Sequence, residues 1–208
     1  MTWEVLSMIG TIAFAVSGAI VAMEEEYDIL GVYFLGIVTA FGGGAIRNLL
    51  IGVPVSTLWN QGLFFEIALI AMTAALLFPK NLLKHWDKWG NLCDAIGLSA
   101  FAIQGALYAV KMGHPLSAVI VAAVLTGIGG GIIRDLLAGR KPGVLRSEIY
   151  AVWTILSGLI IGLKIATSPL ELYILFIVIT IMRVLSYTYD WKLPIIRLKG
   201  NYTQGNGF

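Results

Sequence analysis

The segment Gly42-Gly43-Gly44-Ala45-Ile46-Arg47-Asn48-Leu49-Leu50-Ile51-Gly52 returns 87 positions later as Gly129-Gly130-Gly131-Ile132-Ile133-Arg134-Asp135-Leu136-Leu137-Ala138-Gly139. Each copy closes a long apolar run, so each brings a helix-weakening triplet and a charge to membrane depth. Three glycines cost a helix about 3 kcal/mol relative to alanine. An arginine at a bilayer centre costs about 2.5–3.5 kcal/mol on insertion scales. Both features occur twice, which points to a polar pathway through a membrane and away from packing alone.

Composition agrees with a membrane chain. Of the 208 residues, 58% are hydrophobic and 12% charged, with a mean hydropathy of +0.86. Soluble domains carry about 25% charged residues. Seven apolar stretches are long enough, or nearly so, to cross about 30 Å of hydrocarbon: Val5–Met23, Ile29–Leu50, Leu63–Phe78, Leu92–Val110, Pro115–Leu137, Glu148–Leu163 and Leu172–Tyr189. Breakers fall between them at Pro54, Pro79, Pro115, Pro142 and Ser168-Pro169. The first run follows Glu4 and has no basic stretch before it, which fits a retained helix better than a cleaved signal peptide. The reading is an all-α membrane protein with one transmembrane domain over 1–199. The polar tail 200–208 is expected to be disordered.

The duplication extends beyond the glycines. From Ile9 to Gly52 the same offset gives 18 identities in 44 positions, and Pro54 and Pro142 continue it with a one-residue shift. Each repeat, about 5–79 and 92–164, holds three spans, and a seventh helix over about 170–189 is extra. An odd number of crossings inverts the second copy relative to the first, and inverted repeats with interrupted helices place a site at their interface. The basic loop residues Lys80, Lys84, Lys88, Arg140, Lys141, Arg146, Lys192, Arg197 and Lys199 gather on one side, with only Lys111 and Lys164 on the other. By the positive-inside rule the richer side is cytoplasmic, so the N-terminus faces out of the cell membrane and the C-terminus in. The run Glu24-Glu25-Glu26 with Asp28 then lies inside and reads as a solvated loop.

The candidate pathway residues follow from the repeat. The triplets Gly42, Gly43, Gly44 and Gly129, Gly130, Gly131 are expected to kink and line the pathway, though small residues also permit close helix packing. Thr39 and Thr126 stand one turn earlier; their hydroxyls suit either backbone groups freed by the kink or a permeating ion. Arg47 and Arg134 are expected to line the conduit and set its field, the alternative being snorkelling to an interface. Asn48 and Asp135 follow them directly. Neighbours on a helix do not face one another, so Arg134–Asp135 is not expected as a pair; Asp135 or Asp94 acting across the repeat axis is the expected source of neutralisation. Ser17 and Gln104 occupy equivalent positions and are weaker candidates. Asp94, Glu66 and Arg183 lie near span ends, where an interfacial location is the simpler expectation.

Several classes are excluded. Cys93 stands alone, ruling out an internal disulfide, and His85 and His114 are too far apart to suggest a metal site. The six tryptophans mostly flank spans as an aromatic belt. The triplets lack the Gly-Lys-Ser/Thr ending of a phosphate loop, and no catalytic constellation is present, so neither enzyme activity nor a cofactor is expected. The partners expected are membrane lipids and small ions, with no nucleic acid.

These residues carry a resemblance. The doubled Gly-Gly-Gly-x-Ile-Arg-Asn/Asp-Leu-Leu element, Asp94-Ala-Ile-Gly-Leu-Ser-Ala-Phe101 and Pro142-Gly-Val-Leu-Arg-Ser-Glu-Ile-Tyr-Ala151 resemble the trimeric intracellular cation (TRIC) channel family, in its prokaryotic branch, over residues 5–190. The resemblance implies a homotrimer, a pore within each protomer, kinked second and fifth helices, and conduction of the monovalent cations potassium and sodium. The first copy departs from the pattern at Asn48, where the second has Asp135. The alternative is a secondary transporter of glycine or another small neutral solute, an activity associated with bacterial relatives bearing the doubled element and compatible with inverted repeats.

Overall fold

The protein is described by a computed structural model covering residues 2–78, 86–145 and 149–192, with the side chains of 2 and 86–88 outside that description. Pro79, Lys80, Lys84, His85, Arg146, Glu148, Arg197, Lys199 and the tail 200–208 lie outside the described residues, as does the Lys88 side chain.

Seven α-helices are described: α1 (Thr2–Glu24), α2 (Ile29–Leu50), α3 (Gly62–Leu77), α4 (Trp86–Lys111), α5 (Leu116–Leu137), α6 (Tyr150–Gly162) and α7 (Pro169–Thr188). A short 3-10 helix, Val55–Gln61, leads into α3, and another, Gly143–Leu145, precedes α6. Six helices are long and apolar enough to span a bilayer; α6, with 13 residues, is the short exception. At 1.5 Å per residue α6 covers only about 20 Å.

Local chemistry sets the helix ends. Asp28 caps α2 by accepting a hydrogen bond from the Gly31 amide at 2.7 Å. Ser168 and Glu171 form a reciprocal capping box at the start of α7. Gly52 and Gly139, equivalent in the repeat, take φ of 76° and 69° just past the ends of α2 and α5. Only glycine enters that left-handed region freely, so the motif's last residue stops each helix five residues after its arginine. The stop keeps each arginine in the last helical turn, where exposed carbonyls favour positive charge.

The core is built from α1, α2, α4 and α5, with α3 flanking α1 and α2, and α6 flanking α4 and α5. The seventh helix packs on α4 and α6. The two three-helix repeats therefore meet through equivalent helices, α1 on α4 and α2 on α5. Their inversion shows in reciprocal contacts. The Phe14 and Phe101 rings meet edge to face at 5.2 Å. A Cβ added at Gly97 would lie 2.1 Å from the Phe14 ring, and one added at Gly10 would lie 2.8 Å from the Phe101 ring. Each phenylalanine fills the hollow at the other repeat's glycine. The helix ends are tied in the same reciprocal way: the Tyr27 hydroxyl donates to the Leu137 carbonyl at 2.7 Å, and His114, its equivalent, bonds the Ile51 carbonyl at 2.9 Å.

One expectation needs correction here. The triplets do not interrupt their helices: α2 and α5 run unbroken as α-helix through Gly42–Gly44 and Gly129–Gly131. The glycines are instead where α2 and α5 cross. A Cβ added at Gly130 would lie 2.1 Å from the Thr39 carbonyl oxygen. One at Gly43 would lie 2.8 Å from the Thr126 carbonyl oxygen, and one at Gly129 would lie 3.0 Å from Gly43 Cα. Backbones this close recover in dispersion what glycine loses in helix propensity, as small residues do in membranes.

Candidate functional site

Two polar chambers flank the crossing. One lies around Arg47 beside Ser7 of α1, the other around Arg134 beside Ser17 of the same helix. Ten residues of α1 separate the two serines, about 15 Å along the axis.

In the second chamber Arg134 is buried and fully engaged. Its guanidinium donates to Asp94 Oδ1 at 3.1 Å, to Ser17 Oγ at 2.5 Å and to Asp135 Oδ1 at 2.8 Å. Asp94 also accepts from the Tyr150 hydroxyl and lies 3.7 Å from Arg183 Nη2. The Arg183 guanidinium stacks over the Tyr150 ring at 4.2 Å. Two arginines thus balance two aspartates. Asp135 reaches further, accepting from the Gly143 amide at 3.3 Å and so holding the loop after α5. Beside the cluster is a cavity of about 250 Å³, bordered by Asp94, Gly131, Arg134, Asp135, Tyr150 and Arg183 and by the loop residues Arg140 and Lys141. Arg140 is clamped by Glu25 at 2.6 Å and Glu24 at 2.9 Å. Partial burial works against its charge, but the hydrogen bonds to Glu25 and Glu24 more than offset this and hold the guanidinium above its usual pKa. The guanidinium therefore keeps its charge through neutral pH.

In the first chamber Arg47 occupies the equivalent place. Its guanidinium donates to Asn48 Oδ1 from Nε at 3.0 Å and from Nη2 at 2.8 Å, and to Gln104 Oε1 at 3.4 Å. It lies 4.6 Å above the Tyr108 ring. Gln104 passes the chain on to Ser7 at 2.7 Å, and Asn48 donates to Thr57 at 3.3 Å. The cavity here is small, about 20 Å³.

The expected residues separate by place. Arg134, Asp135, Asp94, Ser17 and Gly131 meet in one chamber; Arg47, Asn48, Gln104 and Gly44 meet in the other. Gly42, Gly43, Gly129 and Gly130 are at the crossing or beside it. Thr39 and Thr126 donate back to the Leu35 and Ala122 carbonyls at 2.6 Å, which favours the backbone role; Thr126 also borders the small cavity.

Three further expectations are corrected. Arg134 and Asp135 do pair, as do Arg47 and Asn48, because a long arginine in the last turn curls back over its own helix end. Asp94 and Arg183 are buried, at 5% and 3% exposure, because they meet each other and Asp94 meets Arg134 inside the bundle. Glu24 and Glu25 are held in ion pairs with Arg140 and not merely solvated. Sequence reasoning missed Ser7, Thr57, Tyr108 and Tyr150. Ser7 was within reach, since it stands 87 positions before Asp94, just upstream of the aligned block. Tyr150 lies in a quoted motif but carries no charge to draw notice.

This arrangement, seven helices in inverted repeats with a buried arginine and its polar partners at each end of a glycine crossing, is one of a membrane-embedded polar site. The protein-family model described as glycine transporter matches residues 4–80 and 91–164. The UPF0126 membrane protein YvgT of Bacillus subtilis is 76% identical over 194 residues, covering 93% of this chain and 96% of that protein. The UPF0126 inner membrane protein YadS of Escherichia coli K12 is 34% identical over 203 residues, covering 94% and 97%. A solved TRIC cation channel superposes with a TM-score of 0.82 at 33% identity, covering 96% of this chain and all of that one. The TRIC orthologue from Rhodobacter sphaeroides gives 0.81 at 32% identity, covering 90% and 97%. The chain belongs to this family, the prokaryotic branch of the TRIC proteins.

Proposed function

We propose that the protein is a monovalent cation channel, permeable to potassium and sodium, working as a homotrimer with a pathway inside each protomer. The pathway joins the two chambers along α2 and α5, past Gly44 and Thr126 on one side of the crossing and Gly131 on the other. The observation that carries this reading is the charge balance around Arg134. A lone arginine about 4 Å from a passing cation repels it by about 4 kcal/mol at an effective dielectric near 20. Asp94 and Asp135 cancel that barrier while leaving a solvent-sized cavity beside them. The likeness to solved cation channels at 32–33% identity supports the same reading. Arg134→Ala, which leaves Asp94 and Asp135 without this partner, is expected to change open probability or conductance. The N-terminus faces out and the C-terminus faces the cytoplasm, as the basic loops indicate.

The test is reconstitution into planar bilayers under a potassium salt gradient. A reversal potential near that for potassium is expected, with discrete current steps. A reversal potential of opposite sign would make the pathway anion-selective and refute the proposal. Wild-type currents from both Arg47→Ala and Arg134→Ala would remove the chambers from the mechanism.

The family description favours one second reading, a carrier of glycine. Saturable, counterflow-competent uptake of labelled glycine into liposomes, without current steps, would select it.

A further inference from the structure

The two chambers match in position and differ in charge. At the places where Arg134 meets Asp94 and Asp135, Arg47 has Ser7 and Asn48. Arg47 is 2% exposed, and among the described residues no carboxylate lies within 4 Å of it. A guanidinium keeps its charge at neutral pH, and amide dipoles and a tyrosine face replace a counter-ion only in part. Among the described residues, three of its five N–H groups are used, on Asn48 and Gln104, and two have no acceptor. The neighbouring cavity of about 20 Å³ is bordered by Arg47, Gly44, Ser7, Gln104 and Thr126. A single water needs about 10–15 Å³ on this measure, so the cavity takes one small guest of about water size. Gly44 puts no side chain between guanidinium and cavity; a Cβ added there would be 3.7 Å from Arg47 Nη2.

We infer that the Arg47 chamber binds one small monovalent anion, a halide by size, which supplies the negative charge that Asp94 and Asp135 supply in the other chamber. The ion is a resident counter-charge, not a permeant species: it neutralises Arg47 so that the chamber no longer repels cations. A free carboxylate, such as that of glycine, shares the chemistry, but its attached atoms exceed the space. The inference rests on the surroundings of Arg47 and stands whether the protein is a channel or a carrier.

The experiment is thermal unfolding of the purified full-length protein, titrated with sodium bromide against sodium gluconate at constant ionic strength. A ligand bound only by the folded state raises the melting temperature by roughly 3–5 °C per tenfold increase above its dissociation constant. Saturable stabilisation by bromide is expected in the wild type. It should vanish in Asn48→Asp, which installs the second chamber's carboxylate, and that variant should melt higher than wild type in gluconate. Crystals containing bromide should show an anomalous peak within hydrogen-bond distance of Arg47. An equal bromide response in wild type and Asn48→Asp would overturn the inference, as would an absent peak at Arg47. Stabilisation by glycine in gluconate without any by bromide would also overturn it, assigning the site to a carboxylate solute. Arg47→Gln adds a second check that does not depend on the installed carboxylate: if it folds, its bromide response should be lost, and a retained response overturns the site.

Discussion

Asp94 is the residue on which most of the second chamber turns, because Arg134, Arg183 and Tyr150 all converge on it. Removing one member of a buried ion pair costs about 3–5 kcal/mol, since the surviving charge stays buried. Asp94→Asn is therefore expected to lower the melting temperature by roughly 10 °C, read by thermal unfolding in detergent. A change of only a degree or two would mean that water reaches the cluster freely. Arg140 makes the opposite case. Its side chain is about one-third exposed, so its pairs with Glu24 and Glu25 contribute about 0–1 kcal/mol. Arg140→Gln should leave the melting temperature within a few degrees of wild type, in high salt especially. At this scale the sequence disclosed the arginines, since a charge in an apolar run is visible without a structure. It did not disclose how they are paired. Spacing rules treat neighbouring residues as diverging, whereas the last turn of a helix lets a long side chain fold back on its own terminus.

Among the elements, α2 and α5 cross with backbone close against backbone. Gly130→Ala would drive a methyl group to 2.1 Å from the Thr39 carbonyl oxygen, and backbone cannot yield as a flexible side chain can. Overpacking of this kind costs about 1–3 kcal/mol or more. Gly44→Ala, in an equally glycine-rich stretch, meets only Arg47 Nη2 at 3.7 Å. Gly130→Ala should fail to fold or melt well below wild type, while Gly44→Ala should fold normally. Equal behaviour of the two in expression and thermal unfolding would show that the helices do not meet there. The sequence located these glycines and their importance, but not their job. A triplet inside an apolar run serves equally to break a helix or to let another backbone approach, and only the position of the second helix decides. The sixth span already reads as short in the sequence, whereas the 3-10 entry to α3 was unreadable for a similar reason.

Over the whole molecule, the inverted duplication was legible from the 87-residue offset alone, because aligned glycines and phenylalanines are too specific for shared hydrophobicity to produce. The same offset shows half of the divergence of the two ends, Asn48 against Asp135. The other half, Ser7 against Asp94, falls just upstream of the aligned block, and together they leave one end with two aspartates and the other with none. That divergence makes the conduction path electrically lopsided. In symmetrical potassium gluconate the wild-type current–voltage relation is expected to rectify, and Asn48→Asp should make it more symmetrical. A linear relation in both would mean that permeating ions do not sense Arg47.

The interlocked rings of Phe14 and Phe101 carry a historical implication. Each ring beds into a glycine of the opposite half, so neither half completes its own interior. A half-length chain built this way would need an antiparallel twin, and hence insertion in both directions with every residue present at both faces of the membrane. One polypeptide carrying both halves lets each face differ, as the acidic cluster confined to the Arg134 end does.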